Sequence, residues 1–231
     1  METPIFFIEQ FSEENLITLS EDTSRHVVQV LRMQPNEKLQ LTDGAGNLNT
    51  AEIIDPHKKK ATVRLVDKTF IPHKGAKISI GISLLKNSSR FEWFLEKATE
   101  IGITEIHSLL CRRTEKQHFR YDRMNQILIS AMLQSKQVWL PVLHEPTPAD
   151  EVIRNSSYST KLIAHCGNEI KKPLTDFMKQ SSVQILIGPE GDFTKEEIEL
   201  SINTNFEPVT LGENRLRTET AGVVAATILC L

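Results

Sequence analysis

From Lys77 to the end of the chain, short apolar runs alternate with helical stretches. "KISIGISLL" reads as a strand and "RFEWFLEKATEIG" as a helix ended by Gly102. "TEIHSLL" is a strand and "RYDRMNQILISAMLQSK" a long helix. "KLIAHC", "VQILIG" and "EPVTLG" are strands. Helices are expected at "KKPLTDFMKQ", "TKEEIELSIN" and "TETAGVVAATILCL". This alternation is that of βαβ units, in which each strand returns parallel to the last, so the sheet is expected to be mainly parallel. Residues 1–72 read differently. "PIFFI", "LITL" and "KKKATVRLVD" are strand-like. "KLQLTDGAGNLNTAEII" is a hairpin about the turn Asp43–Asn47, and Val27, Val30 and Leu31 mark one short amphipathic helix. Several short strands with one helix suggest a small β-barrel. "FIPHKGAK" (70–77) links the two parts, giving expected domains of 1–72 and 73–231.

Two strand ends carry unusual chemistry. "ILIGPEGDFTKEEIEL" passes from an apolar strand through Gly-Pro-Glu-Gly into a helix whose Thr194 and Glu197 have capping-box spacing. In open α/β sheets, ligands bind beyond the carboxyl ends of the strands. There Gly188 and Gly191 allow close backbone approach or positive φ, Pro189 stiffens the turn, and Glu190 offers a carboxylate. Taken alone, the same residues also suit a tight turn with a solvated glutamate. "VTLGENRLRTETAG" repeats the pattern with Gly212, Arg215, Arg217 and Glu219, and either Thr218 or Thr220 is placed to cap the last helix. Neither stretch is G-x-G-x-x-G or a P-loop, which points to a nucleotide-like ligand other than a dinucleotide or ATP.

Charge narrows the partners. Formal nets of −3, +4 and −4 fall on residues 1–72, 73–145 and 146–231. The densest basic part, "CRRTEKQHFRYDR", fits phosphate neutralisation or a solvated helix face. No run is long enough for a membrane span, and the N-terminus lacks a basic n-region. Cys111, Cys166 and Cys230 match no metal or redox spacing and read as free thiols in a reducing compartment. The expectation is a cytoplasmic protein without a metal.

"IGPEGDFTKEEI" and "LGENRLRTETA", with "HVVQVLRMQPNEKLQLTDGAGN", "EKATEIGITEI" and "AMLQSKQVWLP", resemble the RsmE family of the SPOUT superfamily. These bacterial enzymes methylate N3 of a uridine in small-subunit (16S) ribosomal RNA. The resemblance covers nearly the whole chain. It departs at Asp192, where the family usually has a second glycine, and at Glu213–Arg217, where P-R-I-L-R is usual. It departs again at Gln134–Gln137, where Q-S-G-R is usual, so Gln137 replaces an arginine.

The resemblance implies a PUA-like RNA-binding β-barrel over 1–72. Over 73–231 it implies an α/β SPOUT methyltransferase domain with a C-terminal deep trefoil knot, working as a homodimer. S-adenosyl-L-methionine would sit among Ala164, His165, Ile187, Gly188, Pro189, Glu190, Gly191, Leu211, Gly212, Asn214, Leu216, Arg217 and Thr218. For catalysis, Arg217 is the candidate for stabilising the uridine anion. Glu219 is a candidate base or a partner that orients Arg217, and Glu190 is the other carboxylate in reach. Small-subunit ribosomal RNA, as part of the assembled subunit, would contact Arg25, Arg32, Lys86, Arg90, Arg112, Arg113 and Lys116. The rival readings are another SPOUT reaction such as 2′-O-ribose methylation, and a non-catalytic RNA-binding protein.

Overall fold

The computed structural model describes residues 3–11, 14–115, 118–167 and 170–230. It divides into two compact units, Met1–His73 with Met132–Leu140, and Lys74–Ala131 with Pro141–Leu231. The sequence reading had assigned Met132–Leu140 to the second domain. In the structure this segment hydrogen-bonds to the Asp43–Asn47 turn and the end of the fifth strand. The Leu140 N–H donates to Gly44 O at 2.8 Å, the Gly46 N–H to Val138 O at 2.9 Å, and Trp139 Nε1 to Ile71 O at 2.9 Å.

The first unit contains β1 (Ile5–Phe7), β2 (Leu16–Thr18), α1 (Glu21–Arg25), β3 (Lys38–Thr42), β4 (Asn47–Asp55) and β5 (Thr62–Phe70). They form one sheet of order β1-β3-β4-β5-β2. Period-two alternation turns Leu39, Leu41, Ala51, Ile53, Val63 and Leu65 into a single core with Phe6, Leu19 and Val27. Among the described residues β1 and β2 are the sheet's two edges and do not pair. The expected amphipathic helix is corrected. After Arg25 the backbone widens into a π-helical turn, His26–Val30, where the Leu31 N–H reaches back to His26 O at 2.9 Å. The wider turn shifts the register, so Val27 is buried but Val30 and Leu31 face solvent, 67% and 42% exposed.

The second unit is a seven-stranded sheet of order β10-β12-β9-β11-β6-β7-β8, with every pair parallel. Its elements are β6 (Lys77–Ser83), α2 (Ser88–Ile101), β7 (Glu105–Leu110), α3 (Tyr121–Gln134, whose last three residues belong to the first unit), β8 (Val142–Pro148), α4 (Ala149–Asn155), β9 (Thr160–Ala164), β10 (Lys172–Pro173), β11 (Ser182–Ile187), α5 (Lys195–Asn203), β12 (Glu207–Thr210) and α6 (Thr218–Cys230). β6 and β11 are buried along almost their whole length, as expected of central strands covered on both faces. α6 packs on α2 and β6, while α4 packs on α5 and β7.

Three details differ from the sequence reading. "KKPLTDFMKQ" is no α-helix. Lys172–Pro173 pair with β12, and only a 3-10 turn, Leu174–Phe177, follows. Proline lacks the N–H for a helical bond and fixes the entry as extended backbone. β8 and α4 were not foreseen, because prolines at 146 and 148 obscure both periods. Thr218 is the first residue of α6 and Thr220 lies inside it. The Thr218 hydroxyl donates to Gly188 O at 3.0 Å instead of capping the helix.

Candidate active site

β12, β9 and β11 are adjacent in the sheet, so their carboxyl ends lie side by side. The loops that leave them enclose a cavity of about 600 Å³. Every residue expected of the cofactor site lines it except Gly191. Ala164 and His165 come from β9 and its exit, and Ile187, Gly188, Pro189 and Glu190 from the end of β11. Leu211, Gly212, Asn214, Leu216, Arg217 and Thr218 come from the loop between β12 and α6. Apolar side chains and backbone amides predominate near the strand tips. The loops carry charged groups: Glu190, Asp192, Glu213, Arg215, Arg217 and Lys171.

The first glycine of the turn does not serve for conformational freedom. Gly188 has no positive φ, and a Cβ there would lie 3.0 Å from the buried Phe193 ring. A side chain at 188 would therefore press on Phe193, so the close packing of the turn favours glycine. Gly212 is the position that needs glycine's freedom, with φ +138° in open space. Gly191 turns away from the cavity, and its carbonyl accepts from Arg113 Nη1 at 2.6 Å.

The loop positions are fixed from the side by groups distant in sequence. Arg113, in the segment after β7, also reaches Phe193 O at 3.3 Å. The Glu197 carboxylate is buried and closes the expected capping box. Its Oε2 accepts from the Thr194 N–H at 2.8 Å, while Oε1 accepts from the Arg112 N–H at 2.8 Å. Arg215 Nη2 donates weakly to Glu190 O at 3.4 Å. Asp192 sits in the left-handed region at φ +64°, which accounts for a glycine being usual there in the family it resembles. Its Oδ2 accepts from the Cys166 N–H and its Oδ1 from the Phe193 N–H, both at 2.9 Å, which joins the β9 loop to the β11 loop. Lys171 donates to the carbonyls of His165 and Gly167. The His165 ring is buried and its Nδ1 accepts from the Gly167 N–H at 3.1 Å. Asp192, Lys171 and the bracing role of Arg113 were missed. Only the departure from glycine at 192 marked any of them in the sequence.

The catalytic candidates separate. Arg217 and Glu190 line the cavity. Glu219 is not among its lining residues. Its carboxylate is buried and lies 3.6 Å from Arg90 Nε, which pairs it with α2. The RNA candidates also sort by partner. Arg25 pairs with Glu21, Lys86 with Glu115, and Arg112 with Asp150, all at the surface. Arg32 is exposed, at φ +56°. Arg113 is committed to the Gly191 turn. Lys116 lies outside the described residues. Burial pushes the Cys111 thiol up to about 12, so it is an inert core group.

Comparison with known proteins places this architecture. The RNA methyltransferase domain family matches residues 72–230, and the RNA methyltransferase PUA domain family matches residues 19–66. The crystal structure of a probable rRNA-methyltransferase from Porphyromonas gingivalis is 36% identical, with a TM-score of 0.91 over 96% of this chain and 95% of that one. A ribosomal RNA small subunit methyltransferase E from Neisseria gonorrhoeae, crystallised bound to S-adenosyl methionine, is 28% identical with a TM-score of 0.85. It covers 97% of this chain and 95% of its own. The ribosomal RNA small subunit methyltransferase E of Buchnera aphidicola from Acyrthosiphon pisum is 30% identical over 98% of this chain and 92% of its length. With a PUA domain, a parallel-sheet methyltransferase domain and relatives matched end to end, the chain belongs to the ribosomal RNA small subunit methyltransferase E (RsmE) family.

Proposed function

We propose that this protein transfers a methyl group from S-adenosylmethionine to N3 of a uridine in 16S ribosomal RNA, using a SPOUT domain with a C-terminal trefoil knot and acting as a homodimer. The observation that carries this reading is the convergence of three glycine- or alanine-bearing strand tips on one cavity of about 600 Å³. That volume falls within the range of small-molecule sites. Aliphatic walls at Ile187, Leu211 and Leu216 suit an adenine, and nearby backbone groups suit its ring nitrogens. The carboxylates of Glu190, Asp192 and Glu213 suit a positively charged ligand. The residues present therefore fit the cofactor. When bound, it supplies an electrophilic methyl group on a sulfonium.

The chain's own task is the uridine. N3 carries a proton at neutral pH, so N3 must lose it and the resulting charge on O2 and O4 must be stabilised. Arg217 lines the cavity and offers two donors in a rigid fork to such an oxygen. Glu190, exposed at the tip of β11, is the carboxylate placed to accept the proton, directly or through water. Glu219 holds Arg90 and through it the start of α2. The surface cations Arg25, Arg32, Lys86, Arg90 and Arg112 supply phosphate contacts. Among the described residues no helix is long and apolar enough to cross a membrane.

The test is methylation in vitro of small ribosomal subunits from a strain lacking the enzyme, followed by nucleoside mass spectrometry. We expect 3-methyluridine. A 2′-O-methylated nucleoside would establish the rival SPOUT reaction, and no cofactor binding by calorimetry would overturn the enzymatic reading altogether.

A further inference from the structure

We propose that Glu105, His107 and His144 form a binding site for a divalent transition-metal ion, zinc by the chemistry of its ligands, at the amino-terminal end of the parallel sheet. This is the end away from the strand tips that line the candidate active site. The inference does not depend on the methyltransferase reading.

The strand register builds the site. Glu105 and His107 are two residues apart on β7 and so share a face of the sheet. The parallel ladder sets His107 directly beside His144 of β8. The two imidazoles stack with ring centroids 4.0 Å apart and planes 5° from parallel. His144 Nε2 is hydrogen-bonded to Glu105 Oε1 at 2.6 Å, and the buried His107 Nε2 lies 3.2 Å from the same oxygen without meeting hydrogen-bond geometry. The three ligand atoms lie within 4.8 Å of one another.

The other carboxylate oxygen is occupied differently. The Tyr158 hydroxyl donates to Oε2, and Lys77 Nζ lies 3.3 Å from it. One oxygen is thus anchored by fixed donors while its twin faces two nitrogens, an arrangement that orients a ligating carboxylate.

Two imidazoles and a carboxylate suit zinc, which takes such atoms at roughly 2.0–2.2 Å. Ligand atoms in such a site stand about 3.3 Å apart, a contraction that side-chain rotation supplies. Each imidazole would then carry its proton on Nδ1. Glu105 and His107 border a cavity of about 250 Å³, which Glu151 and Thr147 also line. It has room for a water or the Glu151 carboxylate as the remaining ligand. A metal here would pin the neighbouring strands β7 and β8. The ligands come from positions 37 residues apart, joined only by strand pairing, so no spacing motif announces them.

The test uses the full-length protein, free of any histidine tag and stripped with a chelator, titrated with zinc by calorimetry and with cobalt(II) by visible absorption. We expect one ion per chain and a rise in Tm with zinc. His144→Ala removes a partly exposed ring, so the fold is expected to persist by circular dichroism. It should weaken zinc binding about tenfold or more and abolish the Tm shift. Glu105→Gln should do the same. No zinc uptake by the parent protein, or unchanged binding in His144→Ala, overturns the proposal. So does a thiolate-to-cobalt band, which would place the ion at the exposed Cys166.

Discussion

Asp192 shows how one side chain can fix two loops. A non-glycine residue at φ +64° is strained, and aspartate is among the few that tolerate it. The return is a carboxylate that takes the Cys166 N–H with one oxygen and the Phe193 N–H with the other. Asp192→Gly relieves the strain but unties the β9 loop from the β11 loop. A charge-assisted hydrogen bond contributes about 1.5–3 kcal/mol, so S-adenosylmethionine affinity should fall roughly tenfold or more, and Tm should fall by whatever part of the two lost bonds the relief of strain does not offset. Asp192→Asn, which keeps one acceptor, should lie between. Calorimetry decides, and equal affinity in all three proteins would detach this tie from the cofactor site. Arg217 makes a separate prediction. If its guanidinium stabilises the uracil anion, Arg217→Ala should lower the single-turnover methylation rate by about 10²–10³-fold. Arg217→Lys should recover only part, because an ammonium offers no planar fork. A full rate in Arg217→Ala would remove it from the chemistry.

At the scale of elements, the legible parts were those whose signals are local. The strand tips at Gly188 and Gly212, the Thr194–Glu197 cap and the run of parallel strands are written in adjacent residues, and the structure has them where expected. Arg113 on Gly191 and Arg112 on Glu197 join positions 78 and 85 residues apart, so nothing local announces them. Glu219 is a further case, since its contact with Arg90 on α2 joins positions 129 residues apart. The α2–α6 contact makes its own prediction. A Cβ at Gly222 would lie 2.6 Å from Phe94 Cε2 and 2.9 Å from Ile82 Cδ1, both fully buried side chains. Gly222→Ala therefore overpacks the layer and should cost about 1–3 kcal/mol, read as a lower urea midpoint. A midpoint equal to the parent's would mean that α6 has room to move off α2.

At the scale of the whole molecule, α6 asks for a partner. From Thr220 to Cys230 it carries no charge, yet among the described residues only one side is fully buried. Ala221, Gly222, Ala225, Ala226 and Leu229 are buried, whereas Val223, Val224, Thr227 and Ile228 remain partly exposed. A helix at a protein surface normally turns a polar face to water. Thr218 and Ala221, on the buried side of the same helix, line the candidate active-site cavity. We propose a second copy of the chain, since a two-fold interface lets the same small and branched residues meet their own counterparts. Val224→Arg with Ile228→Glu should then give a monomer by light scattering. Both substitutions sit on the partly exposed side, so the fold should survive by circular dichroism. Methylation should fall with dimer content as the protein is diluted. A parent protein that is monomeric at micromolar concentration and still methylates would overturn the dimer, and so would a double variant that remains dimeric.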